Sequence, residues 1–232
     1  MLQLPSNSNE VQIGIDEAGR GCLAFDVCAA AVVLPSSIPE EFNNPTDLKM
    51  IGMIKDSKKM TAKQREKCEE FIKRFALCYA VRNATPAEID EINILKATML
   101  AMHRAIEDVL KQIKDKYDDV QMSSLDIKLM VDGDRFQPYF NKDTGEIVSY
   151  TCIPEGDNIH MNIAAASILS KVTRDRLVIE YCQNHPDIAD KYGFLTNKAY
   201  GTKKHMDALK QFGIIDQHRK SFAPVAKNNV KL

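Results

Sequence analysis

Apolar residues recur along the chain in short runs that predict β-strands. Alternation over Val11–Ile15 predicts a first strand, and the small, β-branched-rich run Ala29–Leu34 predicts an antiparallel neighbour. Three further runs have similar length and character: Leu77–Arg82, Lys128–Val131 and Ser149–Ile153. The pattern therefore predicts a sheet built from short strands.

Helical spacing of apolar residues separates these strands. Thr61 and Thr85 are suitable N-caps for predicted helices that run to about Arg74 and through Glu91. Further predicted helices are Ile94–Ile113, Ile163–Tyr181 and Lys203–Gln211. The stretch Pro35–Lys59, with its prolines, glycine and polar residues, predicts irregular structure. Strands that meet helices on both sides predict a mixed α/β fold.

No glycine- and serine-rich linker divides the chain. We expect one compact unit, with an α/β domain over residues 1–190 and a basic, helical C-terminal region over residues 191–232 packed on it. The net charge of the 232 residues is −1, yet residues 191–232 hold nine Lys and Arg against two Asp. This asymmetry is typical of a basic face beside an acidic body, and a solvated basic tail is the alternative.

Composition excludes several classes of protein. A hydrophobic fraction of 44% and a charged fraction of 27% are those of a soluble globular protein. No run approaches the roughly 20 apolar residues of a membrane span. The polar segment 1–10 lacks the layout of a signal peptide, so a cytoplasmic location is expected. The six cysteines form no CxxC pair, which favours free thiols, several of them in the core.

Carboxylates follow two of the predicted strands. Asp16 and Glu17 come directly after the first, and Asp132 comes directly after the fourth. Neighbouring strand ends would bring these side chains within a few ångströms, where their repulsion is costly unless a cation lies between them. Asp157, just ahead of a predicted helix, joins the set. Oxygen ligands of this kind predict a Mg²⁺ or Mn²⁺ site, although a single strand-end Asp is more often a turn former or helix cap.

The loop Gly19-Arg20-Gly21 follows the first two acids. Its glycines let backbone N–H groups approach a sugar–phosphate chain closely, and Arg20 adds a cation. Alone, a glycine-flanked arginine is typical of an ordinary turn.

Together these motifs resemble those of ribonuclease HII, and the resemblance covers residues 11–225. The opening signature is Gly14-Ile15-Asp16-Glu17-Ala18-Gly19-Arg20-Gly21. The later motifs follow in the order of the family: Asp56-Ser57-Lys58-Lys59, Asn93-Ile94-Leu95 with Ala97-Thr98, Val131-Asp132-Gly133, Gly156-Asp157, Ile163-Ala164-Ala165-Ala166-Ser167-Ile168-Leu169, Lys171-Val172-Thr173-Arg174-Asp175, Tyr192-Gly193-Phe194, Ala199-Tyr200-Gly201-Thr202-Lys203 and His218-Arg219-Lys220-Ser221-Phe222.

The resemblance implies a fold and an activity. The fold is an RNase H-like mixed β-sheet flanked by helices, with a small helical C-terminal subdomain. The activity is hydrolysis of the RNA strand of RNA–DNA hybrids and incision 5′ of single ribonucleotides in duplex DNA, which leaves 3′-hydroxyl and 5′-phosphate ends. A monomer is expected on the same ground.

The resemblance also implies roles for individual residues. The catalytic, metal-binding residues are Asp16, Glu17, Asp132 and Asp157, which would hold two Mg²⁺ or Mn²⁺ ions. Gly19, Arg20 and Gly21 would contact the ribose 2′-hydroxyl, the group that distinguishes RNA from DNA. Tyr200 would stack on the sugar of the following deoxynucleotide. Candidates for phosphate contacts are Lys58, Lys171 and Arg219.

The chain departs from the family pattern near these residues. Where the family usually has Pro-Leu-Ala-Gly-Pro after Gly21, this sequence has Cys22-Leu23-Ala24-Phe25-Asp26. Glu155 stands where a Lys is common, Asp134 replaces a usual Asn, and Pro186–Asp190 adds residues. Asp26, Asp134 and Glu155 thereby add negative charge that could surround the site.

Three other interpretations compete with this one. Ribonuclease HIII shares the carboxylates but usually carries an additional N-terminal domain, whereas about ten residues precede the first strand here. A phosphatase or other carboxylate–metal hydrolase would suit Asp132-Gly133-Asp134 but leaves the basic C-terminal region unexplained. A nucleic-acid binding module without catalysis is disfavoured, because an acidic cluster repels phosphate unless metal is present.

Overall fold

The computed structural model describes Leu2, Leu4 and residues 10–116 and 125–229. Within them one mixed sheet has the strand order β3-β2-β1-β4-β5. Its strands are β1 (Glu10–Ala18), β2 (Val27–Val33), β3 (Cys78–Ala84), β4 (Asp126–Asp132) and β5 (Ser149–Ile153). β2 is antiparallel to both β1 and β3, whereas β4 is parallel to β1 and β5 is parallel to β4. The predicted strands are confirmed, except that β1 continues to Ala18 and so includes Asp16 and Glu17, which were expected just beyond it.

Helices cover the sheet and form the C-terminal region. Those of the described residues are α1 (Pro45–Met53), α2 (Ala62–Phe75), α3 (Pro86–Ile92), α4 (Ile94–Lys116), α5 (Met161–Asn184), α6 (Pro186–Tyr192), α7 (Phe194–Asn197), α8 (Lys203–Phe212) and α9 (Ala223–Ala226). The predicted caps are confirmed, because Thr61 and Thr85 each form a capping box, with Gln64 and Glu88 respectively.

The expectation of irregular structure over Pro35–Lys59 is wrong in part. Pro45 reads as a helix breaker, but it occupies the first turn of α1, where its missing N–H would have no partner anyway. The side chain of Asn44 caps this helix by accepting a hydrogen bond from the Asp47 N–H at 3.0 Å. A short 3-10 turn, Ser57–Lys59, follows and carries the lysine that was expected near phosphate.

The core lies on both faces of the sheet. On one face, Ile13 and Ile15 of β1 pack with the apolar stripe of α4. On the other face, the alternate residues of β2 pack against α2 and α5. The small residues Ala164–Ser167 at the start of α5 are all buried, so this end of the helix packs closely on the sheet. Here the backbone of Asn162 lies against Gly14 of β1.

A third apolar cluster joins the C-terminal helices to the loop between β1 and β2, residues 19–26, which is called the first loop below. Leu23, Ala24 and Phe25 pack with the end of α5 and with residues of α6–α9. The division into residues 1–190 and 191–232 stays a prediction, and its boundary passes through α6. Most of segment 1–10 and the last three residues of the basic region lie outside the described residues.

The cysteines and the helices agree with the expectations from composition. All six cysteines are free thiols, and all except Cys152 are buried, as predicted. No helix of the described ranges is long and apolar enough to cross a membrane.

Candidate active site

The predicted catalytic acids converge at one end of the sheet. Ile15 of β1 pairs with Val131 of the parallel strand β4, so the next residues, Asp16 and Asp132, lie side by side at the same strand ends. The N–H of Gly156 donates to Oδ1 of Asp132 at 2.8 Å and brings the turn Gly156–Asn158 to this point. Asp157 therefore joins the cluster from the start of α5.

Glu17 faces the opposite side of β1 from Asp16. It lines a cleft of about 310 Å³ together with Asp132, Arg20 and residues of α4. The Arg20 guanidinium donates to Oε1 of Glu17 at 3.1 Å, while Oδ1 of Asp16 accepts the Glu17 N–H at 2.6 Å. The carboxyl ends of β1 and β4 thus present carboxylates both toward α5 and toward the cleft beside α4.

Burial and mutual repulsion disfavour the charged forms of these acids. Burial, with Glu17 and Asp132 nearby, raises the pKa of Asp16 well above its usual value. Burial also raises the pKa of Glu17, against the opposing effect of Arg20. For Asp157, burial and the charges of Asp132 and Asp56 raise the pKa to about 6. The site therefore concentrates negative charge that the protein itself compensates only in part.

This donor set fits a divalent cation. Oδ2 of Asp157 is buried and has no hydrogen-bond donor among the residues that the structure describes. A buried carboxylate oxygen without a donor is costly, and a bound cation removes that cost. In the described chain no three His, Cys, Asp or Glu side chains are arranged as a ready metal-binding group. A cation bound there would offset the mutual repulsion of the acids.

Lys58 lies beside the acids as an exposed cation. Burial lowers its pKa, but the carboxylates, Asp157 and Asp16 foremost, outweigh that effect and raise the pKa overall. The turn that carries it is held to α5 by a 2.9 Å hydrogen bond between the hydroxyls of Ser57 and Ser167. Among the predicted phosphate contacts, Lys58 is thus the one placed directly at the carboxylates.

Lys171 and Tyr200 lie together on the other side of the first loop. The Lys171 ammonium donates to Asp175 at 2.8 Å and lies 5.6 Å from the centre of the Tyr200 ring. Tyr200 itself is 43% exposed. Its backbone forms an antiparallel bridge to Cys22, so the ring is fixed next to the Gly19–Gly21 loop.

The expectation that Arg219 contacts phosphate is corrected by its burial. Arg219 is fully buried, and its guanidinium donates to the carbonyls of Phe25 and Arg20, each at 2.9 Å. It supports the Gly19–Gly21 loop from beneath. The charge asymmetry of the sequence could not reveal this, because burial depends on the pairing of distant segments.

Three residues of the site were not predicted. Asp56 is buried beside Asp157 and raises the pKa of that acid, whereas the buried Ser167 lowers the pKa of Asp16 in part. Arg174 is buried, lies under Gly19 and donates to the carbonyl of Lys198. All three residues stand in the quoted motifs, but none of them follows a predicted strand, so the search for carboxylates at strand ends did not select them.

The raised pKa of Asp157 predicts a pH-dependent effect of Asp157→Asn on stability. In the folded metal-free protein Asp157 keeps its proton up to about pH 6, whereas in the unfolded chain it loses the proton near pH 4. The favourable contribution of Asp157 to the free energy of unfolding is therefore fully present below about pH 4 and is lost as the pH rises through about 6. The variant should gain stability over the wild type at pH 8 but not at pH 4. Buried histidines change the stability in the same pH range with the opposite sign, and both proteins contain them. The quantity to measure is therefore the difference in melting temperature between wild type and variant in EDTA. A difference that is constant with pH would contradict the prediction.

The family model for ribonuclease HII matches residues 13–225. The chain belongs to the ribonuclease HII family. Members of this family are metal-dependent ribonucleases H, endonucleases that act on RNA–DNA hybrids, and this chain is such an enzyme.

Relatives match over almost the whole length of this family member. Ribonuclease HII of Parabacteroides distasonis is 41% identical over 222 residues, which are 96% of this chain and 94% of the relative. The ribonuclease H2 structure from Pyrococcus horikoshii OT3 has a TM-score of 0.66 at 23% identity and covers 94% of this chain and 96% of that chain. The structure of Bst-RNase HIII in complex with Mn²⁺ has a TM-score of 0.63 at 16% identity, with 95% of this chain and only 69% of that chain covered. The sister enzyme thus shares the fold, and full-length agreement lies with ribonuclease HII.

The departures from the family pattern have local structural accounts. Phe25 has a φ of 66°, the left-handed region that favours the family's glycine. Its ring packs at 5.1 Å from both Tyr181 and Phe194, which stabilises the loop despite that backbone strain. Asp26 accepts a hydrogen bond from Asn83, and Asp134 and Glu155 are exposed. Inserted residues 186–190 form part of α6.

Proposed function

We propose that this ribonuclease incises duplex DNA on the 5′ side of a single embedded ribonucleotide, as well as the RNA strand of hybrids, and leaves 3′-hydroxyl and 5′-phosphate ends. One observation carries the proposal. The strand-end acids lie beside a glycine-bordered loop, and an exposed tyrosine is bridged to the end of that loop. The candidate catalytic acids and the residues that would contact the sugar thus lie within one short stretch of surface.

Asp16, Glu17, Asp132 and Asp157 would hold Mg²⁺ or Mn²⁺. When bound at such acids, two divalent ions polarise the scissile phosphate, lower the pKa of an attacking water and stabilise the leaving 3′ oxygen. The protein contributes the placement of these acids, which hydrogen bonds from the Glu17 and Gly156 N–H groups hold in position. Lys58 adds a cation at the rim, where it would bind a substrate phosphate.

The Gly19–Gly21 loop is suited to contact with the ribose 2′-hydroxyl. Gly19 has a φ of 97°, and a Cβ atom there would lie 3.1 Å from Nε of the buried Arg174. Gly21 has open space around it, so backbone atoms can approach a sugar closely. A hydrogen bond to the 2′-hydroxyl at this point would distinguish a ribonucleotide from a deoxynucleotide.

Tyr200 would stack on the sugar of the next deoxynucleotide. Its ring is exposed and lies near the cations of Lys171 and Arg174, which are 5.6 and 6.0 Å from the ring centre. A deoxyribose lacks the 2′-hydroxyl that would obstruct close stacking, so the ring would favour a junction from RNA to DNA. A monomer in the cytoplasm remains our prediction.

The proposal is tested with a labelled DNA duplex that contains one ribonucleotide. With Mg²⁺ or Mn²⁺ we expect one cut, 5′ of the ribonucleotide, and no cut in an all-DNA duplex of the same sequence. Absence of incision with either metal would refute the proposal. Incision only within runs of several ribonucleotides would favour the specificity of the sister enzyme.

A further inference from the structure

Two buried histidines lie next to the backbone of Tyr200. His205 of α8 and His218 are both fully buried, and their Nε2 atoms are 3.0 Å apart. Nδ1 of His205 lies 3.0 Å from the carbonyl oxygen of Tyr200. At the other end, Nδ1 of His218 lies 2.8 Å from the backbone nitrogen of Ile215. The two rings thus form a continuous chain of hydrogen bonds from Ile215 to Tyr200.

The backbone partners determine where the protons lie. The Ile215 N–H can only donate, so Nδ1 of His218 accepts and the proton of that ring is on Nε2. Nε2 of His205 must then accept, and its proton is on Nδ1, which donates to the Tyr200 carbonyl. Two neutral imidazoles satisfy every contact in the chain.

An additional proton would break this arrangement. Wherever it is added, two N–H groups face each other, either between the rings or at Ile215. Burial lowers the pKa of both histidines, and burial together with His205 lowers the pKa of His218 to about 4. The rings of Tyr192 and Phe194 pack against both imidazoles and keep them apart from water.

The pair also closes a ring of contacts around the first loop. On one side of this loop, the Leu23 N–H donates to the Ala199 carbonyl at 2.9 Å, next to the bridge between Cys22 and Tyr200. On the other side, Ala24 forms a bridge to His218. The hydrogen bond between the two histidines joins these two flanking segments, so both are connected to the Tyr200 backbone.

We propose that His205 and His218 are positioning residues for Tyr200: their uncharged hydrogen-bond chain fixes the backbone that carries the ring. This inference rests on the proposed function, in which Tyr200 contacts the sugar beyond the ribonucleotide. Neither histidine touches substrate, and both act through the Tyr200 carbonyl.

Two substitutions of His205 separate its two hydrogen bonds. In Asn the amide lies near the position of Nδ1, so His205→Asn can still donate to the Tyr200 carbonyl. In Gln the amide lies near the position of Nε2, so His205→Gln retains contact with His218 but removes the imidazole donor from that carbonyl, which then accepts only the Thr202 N–H at 2.8 Å. We expect His205→Gln to lower kcat/KM on the single-ribonucleotide duplex about tenfold, and His205→Asn to stay within about threefold of wild type.

A double-mutant cycle with Tyr200→Ala tests whether the effect passes through Tyr200. In the Tyr200→Ala background the two His205 variants should cut at the same rate, because the ring that they position is absent. If the wild-type enzyme cuts and the losses of the His205 and Tyr200 variants are additive, the positioning role is overturned and the proposed function stays intact. Failure of the wild type to cut would instead refute the proposed function itself.

Nitrogen-15 NMR of the histidine rings provides a test that does not depend on activity. We expect His218 as the Nε2–H tautomer and His205 as the Nδ1–H tautomer at pH 7. The signals should be unchanged in Tyr200→Ala, since that variant retains the backbone carbonyl. The opposite tautomers, or ordinary titration of the pair near pH 6.5, would overturn the inference.

Discussion

Asp132→Asn should lower kcat/KM by about a thousandfold or more on a ribonucleotide-containing duplex, while duplex binding remains measurable. Loss of a metal-binding carboxylate removes several kcal/mol of transition-state stabilisation, and about 4 kcal/mol corresponds to a thousandfold. Asp132 is the acid whose charge raises the pKa of each of the other three, Asp16, Glu17 and Asp157. It is therefore the electrostatic centre of the cluster.

The same substitution should stabilise the metal-free protein. The Asn side chain can still accept the Gly156 N–H, now 2.8 Å from Oδ1 of Asp132, so the local hydrogen bond survives. Repulsion within the acid cluster falls, and we expect a higher melting temperature in EDTA together with the loss of cutting. This opposition between stability and activity is typical of a site that concentrates like charge for function.

Asp134→Asn is the matched control for this prediction. It makes the same chemical change two residues further on, at an exposed side chain that lines the same cleft and lies 3.9 Å from Arg135. Cutting by this variant should stay close to wild type, because an exposed pair of this kind contributes little. Equal losses in the two variants, or wild-type turnover by Asp132→Asn, would contradict the proposed metal-binding role of Asp132.

The sequence was most informative where a local rule applied. Strand ends and helix caps depend on a few neighbouring residues, and so the end of β4 and the helix caps at Thr61 and Thr85 were predictable. β1 runs past its predicted end to Ala18, because Asp16 and Glu17 still pair with β2. α1 was missed because Pro45 was interpreted as a breaker although it starts the helix. The parallel pairing of β1 with β4 brings the acids together, and this is a consequence of topology that spacing alone does not reveal.

Long-range contacts account for what local rules missed. Arg219 carries the charge of a phosphate ligand, but the pairing of its segment with Leu23 buries it beneath the first loop. His205 and His218 are thirteen residues apart, and only the fold of the C-terminal helices makes them neighbours. The small residues at the start of α5 pack in one cluster with Ala30 and Val32 of β2, and the backbone of Asn162 meets Gly14 of β1.

Gly14→Ala should destabilise the protein by about 3 kcal/mol and also impair cutting. A Cβ atom at Gly14 would lie 2.3 Å from the backbone carbon of Asn162 and 2.5 Å from the Ile163 nitrogen. These are main-chain atoms of the first turn of α5, so they cannot move aside by a change of rotamer. Gly14 is paired on both sides, with Val32 and Met130, so β1 cannot retreat either.

Gly52→Ala is the control for an added methyl group. Gly52 lies within α1, and a Cβ atom there has no neighbour within 4 Å. Alanine has the higher helix propensity, so this variant should be as stable as wild type or more stable, by up to about 1 kcal/mol. Urea unfolding of wild type and both variants measures the comparison. Equal stability of the two variants would show that α5 moves freely on the sheet.

The effect of Gly14→Ala on activity follows from the position of Asp157 just before α5. If the helix start moves away from β1, Asp157 moves away from Asp16, which lies two residues beyond Gly14 on the same face of β1. A displacement of about 1 Å in a catalytic group can lower the rate about a hundredfold. Measured well below the melting temperature, kcat should therefore fall in the folded variant, with Gly52→Ala unchanged. A folded Gly14→Ala protein with normal kcat would show that the close contact between α5 and β1 serves stability alone.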